Sequence, residues 1–284
     1  MASYKQWLAQ AKARATELGL EAAAVEWLLL DLLCWTRVTL LCDGDQAMTD
    51  AHAQRLEAGL TRFLAGEPVQ YITQQATFYG RDYYVDARVL IPRPETEEVV
   101  AHFLELCPQS GVVADIGTGS GIIALTVKQE RPDLDVWASD ISPDALAVAR
   151  HNAEQHTVSV NMVQGDVLAP LIERGVRLDG LISNPPYIGK EEIAVMGADV
   201  VAHEPHLALF ADAAGYAIYD QLLKELPKVM KPGAPVVFEI GYQQGQTLLE
   251  MAKHYYPHIQ PQVLEDMNGN PRIFYMTWEA VPQD

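Results

Sequence analysis

The stretch Asp115-Ile116-Gly117-Thr118-Gly119-Ser120-Gly121 indicates how this chain folds. It follows the apolar run Gly111 to Ala114 and precedes residues with helical periodicity up to Glu130, so it joins a buried strand to a helix. Glycines at alternate positions let the backbone approach a ligand closely, and the start of the helix directs free backbone N–H groups towards that ligand. We therefore expect a ligand-binding loop over Gly117 to Gly121.

Strand and helix patterns alternate on both sides of this loop. The predicted helices are Glu95 to Leu106, Gly121 to Glu130, Pro143 to Glu154 and Tyr216 to Met230. The predicted strands are Val112 to Asp115, Asp135 to Ser139, Ser159 to Val163, Gly180 to Ser183 and Pro235 to Ile240. Such alternation requires crossover connections, so it predicts an α/β fold with a parallel sheet between helices. The turn Asn268-Gly269-Asn270 separates Gln260 to Leu264 from Arg272 to Thr277 and suits an antiparallel pair, so we expect one reversed strand.

The residues before this α/β region have a different pattern. Apolar residues recur at helical spacing over Tyr4 to Leu18, Glu21 to Trp35 and Asp50 to Ala65. The period then changes to that of a β-hairpin. The turn-like segment Gly80-Arg81-Asp82 separates two strand-like runs, Thr77-Phe78-Tyr79 and Tyr83-Tyr84-Val85. We predict a small helical domain over residues 1–70, a linking hairpin over 71–91 and a larger domain over 92–284.

Composition limits the classes of function. The chain has 284 residues, 49% of them hydrophobic, which is enough for a large domain and a smaller one. A net charge of −18 without any cluster of Lys or Arg disfavours bare nucleic acid, so we expect no direct DNA binding. No stretch has the apolar length of a signal peptide or a membrane span. Cys34, Cys42 and Cys107 lack the close spacing of a metal or redox site, and we expect a cytoplasmic monomer without a metal.

The spacing of the glycines distinguishes between ligands. In a dinucleotide-binding loop the third glycine would fall at position 122, which is Ile, so the loop favours a ligand without a pyrophosphate. Asp140 ends the next predicted strand, where a carboxylate can accept both hydroxyls of a ribose. A ribose without a pyrophosphate indicates S-adenosylmethionine, with S-adenosylhomocysteine as the product. Asp166 follows the third predicted strand, where it either meets the adenine amino group or only forms a turn.

A second motif, Asn184-Pro185-Pro186-Tyr187, follows the predicted strand Gly180 to Ser183. An amide or aromatic amine nitrogen is a poor nucleophile because its lone pair is delocalised. The side-chain oxygen of Asn184 and the carbonyl of Pro185 can accept its two N–H bonds and aim the lone pair at a methyl group. The two prolines fix the backbone, and Tyr187 offers a face for stacking. The motif predicts methyl transfer to a planar nitrogen; the plain alternative is a rigid turn with Tyr187 in the core.

These residues resemble the class I S-adenosylmethionine-dependent methyltransferases, and within them the peptide-chain release factor glutamine methyltransferases. The class implies a Rossmann-like, mostly parallel seven-stranded sheet. The resemblance covers nearly the whole chain and extends through the segments Gly66 to Ile72, Leu90 to Glu97, Glu204 to Leu209 and Asp266 to Arg272. Ala213-Ala214-Gly215 departs from the Asp-Gly or Gly-Gly pair that is common in the family, which leaves the geometry of that loop open.

The resemblance also implies roles for individual residues. The loop Gly117 to Gly121, Asp140 and Asn184 should contact the cofactor, with Asp166 and Val167 near the adenine. The motif that begins at Asn184 should hold the glutamine of a Gly-Gly-Gln loop in the substrate. The segment Pro92 to Glu97 should lie beside the site.

Three functions follow from these patterns. The first is transfer of a methyl group from S-adenosylmethionine to the glutamine amide of the Gly-Gly-Gln motif in release factors. The second is an adenine-specific nucleic-acid methyltransferase, which would need a basic groove or a target-recognition domain to flip out a base. The third is a non-catalytic cofactor-binding protein, which would not need a complete acceptor motif. Because the larger domain contains both motifs, we assign residues 1–70 to recognition of a protein substrate.

Overall fold

The computed structural model describes residues 2–189, 193 and 198–279, so the outermost residues of the predicted first and last domains lie outside the described part. The chain divides into two compact units. The first contains the described residues up to Ala76, together with Val85–Ala87 and the helix Ala198–His203. The second contains Thr77–Tyr84 and nearly all of the remaining chain.

The first unit is helical. Its elements before the hairpin are α1 (Tyr4–Glu17), α2 (Ala24–Leu33), α3 (Arg37–Asp43), α4 (Asp50–Leu64) and α5 (Val69–Thr73). The predicted helix Glu21 to Trp35 is shorter than expected, because Cys34 adopts a left-handed backbone conformation (φ 53°) that ends α2. The helices α3 and α5 were not predicted, because seven and five residues are too few to show a helical period.

A two-stranded sheet follows, formed by β1 (Ala76–Phe78) and β2 (Arg81–Tyr83). Its turn is Tyr79-Gly80 rather than the predicted Gly80-Arg81-Asp82. Both turn residues have positive φ, 51° and 72°, which is the geometry of a tight two-residue hairpin. A tyrosine at positive φ has no sequence signature, so the pattern placed both strands one or two residues too late.

The second unit is built on a sheet of seven strands. They are β3 (Gly111–Ile116), β4 (Leu134–Asp140), β5 (Asn161–Gln164), β6 (Gly180–Ser183), β7 (Pro235–Glu239), β8 (Gln262–Glu265) and β9 (Pro271–Thr277). Their order is β5-β4-β3-β6-β7-β9-β8, and β9 runs antiparallel to both of its neighbours while the other pairs are parallel. The predicted α/β fold, with one reversed strand in a mostly parallel sheet, is confirmed.

Helices cover both faces of this sheet. They are α6 (Pro94–Leu106), α7 (Ile122–Glu130), α8 (Pro143–His156), α9 (Ala169–Glu173), α11 (His206–Leu209), α12 (Ala217–Val229) and α13 (Gly245–Tyr255), while α10 (Ala198–His203) belongs to the first unit. Successive residues of a strand point to opposite faces, so Val237 packs with Phe103 of α6 and Phe238 packs with Leu222 of α12 in separate apolar clusters. Among the described residues, no helix combines the length and apolarity needed to cross a bilayer.

The strand order places the two sequence motifs side by side. After β3 the chain adds β4 and β5 on one side, and it then returns to add β6 and β7 on the other. Ligands of open parallel sheets bind at such a switch point, at the carboxyl ends of the strands. Ile116, the last residue of β3, pairs with Ser183, the last residue of β6. The glycine loop and the motif that begins at Asn184 therefore leave the sheet next to each other.

Candidate active site

A cavity opens at the carboxyl ends of β3, β4 and β6. Its volume is about 230 Å³, several times the roughly 30 Å³ of one water molecule. Within the described part of the chain, all the lining residues belong to the second unit. Most of the predicted site residues line it: Gly117, Thr118, Gly119, Ser120, Asp140, Asp166, Val167, Asn184, Pro185 and Pro186. Gly121 and Tyr187 are not among the lining residues. The fold thus brings the glycine loop and the acceptor motif to one cavity.

Gly117 and Gly119 shape the loop after β3. Both have a left-handed backbone, with φ of 73° and 55°, and no atom lies within 4 Å of the place where a Cβ would stand. Their missing side chains leave a cradle into which a ligand can enter. Gly121 differs, because a Cβ there would lie 3.0 Å from the Cβ of Ala149 in α8. Gly121 therefore allows α7 and α8 to pack closely.

Asp140 holds the loop at the rim of the cavity. Its carboxylate accepts hydrogen bonds from the backbone N–H of Gly119 (2.8 Å) and of Ser142 (2.9 Å). Burial raises the pKa of this carboxyl, and the backbone donors of Ser142, Gly119 and Ile141 oppose the shift. Asp140 also lines the cavity, so its carboxylate is placed to accept a hydrogen bond from a ligand hydroxyl.

Asp115 supports the same loop from inside. It is 1% exposed, and one oxygen accepts from Thr118 Oγ1 (2.5 Å) and from the backbone N–H of Ala124 (3.2 Å). Burial raises the pKa of this carboxyl to about 7. The other oxygen, Oδ1, has no hydrogen-bond partner among the described residues. Asp115 thus ties the glycine loop to the start of α7.

Asp166 and Val167 form another part of the cavity wall. Asp166 is exposed, and its carboxylate accepts from Gln221 Nε2 of α12 at 3.0 Å. Val167 is buried at a φ of 45°, a strained conformation for a β-branched residue. Its carbonyl accepts a hydrogen bond from Ser139 Oγ at 3.2 Å. The surrounding contacts therefore hold Val167 in a conformation that it would not adopt alone.

The side-chain amide of Asn184 is held from one end. Its Nδ2 donates to Thr96 Oγ1 at 3.3 Å, and this hydroxyl donates to Glu239 Oε2 at 2.6 Å. Burial raises the pKa of the Glu239 carboxyl to about 7. Asn184, Pro185 and Thr96 all line the cavity, so this hydrogen-bonded chain reaches the cavity wall.

Tyr187 is anchored by its backbone and by its ring. The ring packs against the apolar cluster that contains Leu222 and Phe238, and burial raises the pKa of its hydroxyl to about 12. The backbone carbonyl accepts from Gln244 Nε2 (2.8 Å), and Gln244 Oε1 accepts from the N–H of Gly241 (3.0 Å). The loop after β7 thus supports the end of the acceptor motif.

The segment Ala213-Ala214-Gly215 has three successive left-handed residues, with φ of 56°, 55° and 85°. An L-residue in this conformation costs about 1 to 2 kcal/mol, and glycine or aspartate adopts it more readily than alanine. A Cβ at Gly215 would overlap the carbonyl of Tyr187. The two alanines that depart from the family pattern are therefore strained, and they lie next to the acceptor motif in the fold.

Some residues of the site were not identified from the sequence. The Glu204 side chain is 1% exposed and forms an ion pair with Arg93 Nη2 at 2.5 Å, which fixes a segment that lines the cavity. Gln244 was also missed. Thr96 was expected beside the site only as part of the segment Pro92 to Glu97, and Glu239 was predicted only as part of the strand Pro235 to Ile240. Their common feature is a polar side chain at a buried position close to the end of a helix or strand.

Comparisons with known proteins agree with this geometry. A family model described as the methyltransferase small domain matches residues 95–208, and one described as the PrmC N-terminal domain matches residues 6–73. The crystal structure of a methyltransferase from Pyrococcus furiosus has a similar fold, with a TM-score of 0.52 at 17% identity, and the alignment covers 82% of this chain and 100% of that one. The fold is that of a class I methyltransferase.

Three relatives define the family more closely. The chain is 45% identical to a release factor glutamine methyltransferase from Staphylococcus aureus, over 98% of this chain and 100% of the relative. Relatives with the same name from Bacillus subtilis and Enterococcus faecalis are 41% and 38% identical, each over 90% of this chain and over 91% and 92% of their own lengths. This chain belongs to the release factor glutamine methyltransferase family, and the predicted resemblance is confirmed.

Proposed function

We propose that the protein transfers a methyl group from S-adenosylmethionine to the side-chain amide nitrogen of the glutamine in the Gly-Gly-Gln motif of peptide chain release factors. The observation that carries this proposal is the single cavity lined by both the glycine loop with Asp140 and the acceptor residues Asn184, Pro185 and Pro186. A methyl donor and a nitrogen acceptor can therefore meet in one place. The names of the relatives support the same substrate.

The residues present fit S-adenosylmethionine. The cradle at Gly117 and Gly119 has open space at both missing side chains, and Asp140 offers acceptor positions for ribose hydroxyls. Asp166 and Val167 line the same cavity and are the residues we assign to the adenine. When bound, the cofactor supplies an electrophilic methyl group on a sulfonium sulfur. We assign Asn184 to both the cofactor-binding and the substrate-binding residues.

The acceptor residues prepare the nitrogen. The Asn184 oxygen and the Pro185 carbonyl accept the two N–H bonds of the glutamine amide, so its lone pair is directed at the methyl carbon. With the cofactor bound, a nitrogen–carbon bond would replace its sulfur–carbon bond, and the nitrogen held by these two acceptors would lose one proton. Tyr187 follows these residues, and its ring packs in the apolar cluster outside the cavity lining, where it anchors the end of the acceptor motif. The transfer itself needs no covalent nucleophile.

The decisive experiment for this proposal is mass spectrometry of a purified release factor after incubation with the protein and isotopically labelled S-adenosylmethionine. We expect one labelled methyl group on the peptide that contains Gly-Gly-Gln, located on the glutamine. An absence of label on this glutamine, or transfer of label to adenine in DNA, would overturn the proposal.

Asp140→Ala is expected to weaken binding of S-adenosylmethionine about ten- to a hundredfold, because a hydrogen bond to a charged acceptor contributes roughly 1.5 to 3 kcal/mol. Calorimetry measures the affinity directly. The matched control is Asp144→Ala, which removes an exposed carboxylate from the first turn of α8 outside the cavity lining. Unchanged affinity in a folded Asp140→Ala protein would exclude Asp140 from the cofactor site.

We also propose that residues 1–70 recognise the protein substrate, since every described residue that lines the cavity belongs to the second unit. The first unit exposes large apolar side chains, among them Val38 (69%) and Leu41 (72%). Exposed apolar side chains often mark protein-binding surfaces.

The double variant Val38→Ser/Leu41→Ser tests this role. We expect KM for a full-length release factor to rise about five- to tenfold, since partial burial of two such side chains contributes roughly 1 kcal/mol. KM for a short Gly-Gly-Gln peptide should stay unchanged. The control is Met267→Ser, which removes an 88% exposed apolar side chain from the second unit. Equal effects on the release factor and the peptide would contradict the assignment.

A further inference from the structure

A hydrogen-bonded chain links three separate segments of the second unit. Thr96 Oγ1 donates to Glu239 Oε2 at 2.6 Å, and Asn184 Nδ2 donates to Thr96 Oγ1 at 3.3 Å. Thr96 and Glu239 are each 1% exposed. Buried polar groups must find their partners within the protein, so this arrangement does not exchange freely with bulk water.

The fold explains why these residues meet. Ser183 of β6 pairs with Phe238 of β7, so the next residues of the two strands, Asn184 and Glu239, lie side by side at the carboxyl edge of the sheet. Thr96 is in the first turn of α6, which packs against β7. One threonine hydroxyl can therefore contact both side chains.

The single proton of that hydroxyl decides how the Asn184 amide is oriented. An ionised carboxylate only accepts, so Thr96 must give its proton to Glu239. The Thr96 oxygen can then only accept from Asn184, which turns Nδ2 towards Thr96 and leaves Oδ1 as the free acceptor. In the flipped orientation, two oxygens would face each other at Thr96, and the Asn184 amino group would oppose the donors of a substrate amide.

We propose that Thr96 and Glu239 are positioning residues, which fix the Asn184 side-chain amide with its oxygen available to the glutamine nitrogen. This inference rests on the proposed function, because it requires Asn184 to be an acceptor of the substrate N–H. Neither residue needs to touch the substrate for this role. Their effect reaches the reaction through the orientation of Asn184.

The protonation state of Glu239 decides in which direction the hydrogen bonds between Glu239, Thr96 and Asn184 run. Burial raises the pKa of Glu239 to about 7. The charged or titratable groups that face it are Arg272, Arg93, Glu95, Tyr187 and Tyr219. A protonated Glu239 can donate to Thr96, whose proton is then free to turn to Asn184 Oδ1. The flipped amide becomes possible, so turnover should rise as the pH increases through about 7.

The test compares Thr96→Val and Thr96→Ser in the full chain, with a release factor and S-adenosylmethionine as substrates. We expect Thr96→Val to lower kcat about fivefold, since one hydrogen bond contributes about 1 kcal/mol and 1.4 kcal/mol corresponds to a factor of ten. Affinity for S-adenosylmethionine should change much less than kcat. Thr96→Ser keeps the hydroxyl and should return kcat to within about twofold of wild type. Thr126→Val is the control, because this buried threonine contacts the Tyr83 hydroxyl instead.

A second measurement keeps the inference testable if Thr96→Val does not fold. Glu239→Gln cannot ionise, so the rise of kcat through about pH 7 should disappear in this variant. Unchanged kcat in a folded Thr96→Val protein would overturn the inference. So would a loss of kcat in Thr96→Ser as large as that in Thr96→Val. A pH dependence of kcat that Glu239→Gln leaves unaltered would also overturn it. Failure of the wild-type protein to methylate the glutamine would instead overturn the proposed function, and this inference with it.

Discussion

Asn184→Ala is expected to lower turnover about a hundred- to a thousandfold, the loss typical of removing one preorganised hydrogen-bond partner from an active site. The variant removes one of the two acceptors that hold the glutamine nitrogen. The Pro185 carbonyl, the glycine loop and Asp140 all remain in place, so affinity for S-adenosylmethionine should change much less than turnover. Single-turnover transfer to a release factor measures the chemical step, and calorimetry measures the affinity.

Two further variants separate this mechanism from a general disturbance of the site. Asn184→Asp should also fail, because a carboxylate in a closed site carries a desolvation cost and cannot donate to Thr96 as the amide does. Tyr187→Phe should be milder, since its ring keeps the apolar packing that anchors the acceptor motif. Near-normal methylation of the glutamine by folded Asn184→Ala protein would refute the proposed mechanism.

The sequence could predict the position of the site because the end of a buried strand is visible as a change in pattern. The apolar runs before Gly117 and Asn184 mark two such ends. Parallel strands present their carboxyl ends at one edge, so two motifs that follow strands can be expected to meet. The pairing of Ile116 with Ser183 shows that these two strands are direct neighbours.

The roles of two motif residues could not be predicted from the same pattern. Gly121 continues the alternation of Gly117 and Gly119, yet it allows close helix packing while the other two leave space for a ligand. Tyr187 continues the acceptor motif, but its ring contributes to an apolar cluster and not to the cavity lining. Spacing along the chain does not show which neighbours a residue meets in three dimensions.

The residues and backbone conformations that hold the two motifs in place could not be predicted from the sequence, for two physical reasons. Thr96, Asn184 and Glu239 come from three segments that are far apart in sequence, and only the register of β6 and β7 joins them. Positive φ at Val167 and Ala214 has no sequence signature, because L-residues rarely adopt it and only tertiary contacts enforce it. Such features are determined by the fold as a whole.

Gly215→Ala is expected to lower the free energy of unfolding by about 3 kcal/mol and turnover about a hundredfold. A left-handed alanine costs about 1 to 2 kcal/mol, and overpacking adds about 1 to 3 kcal/mol. The added methyl would overlap the Tyr187 carbonyl and lie 2.9 Å from Gln244 Nε2. The acceptor motif must then shift, and a displacement of about 1 Å can reduce a rate a hundredfold.

Gly233→Ala is the matched control for this prediction. Gly233 has nearly the same φ, 84° against 85°, but no atom lies within 4 Å of its missing Cβ and it does not line the cavity. The control should therefore lose only about 1 to 2 kcal/mol of stability for the left-handed alanine and keep its turnover. Denaturant unfolding and release factor methylation, measured on both variants, separate backbone strain from the contact with Tyr187. Equal losses in the two variants would show that the loop at Gly215 does not position the acceptor motif.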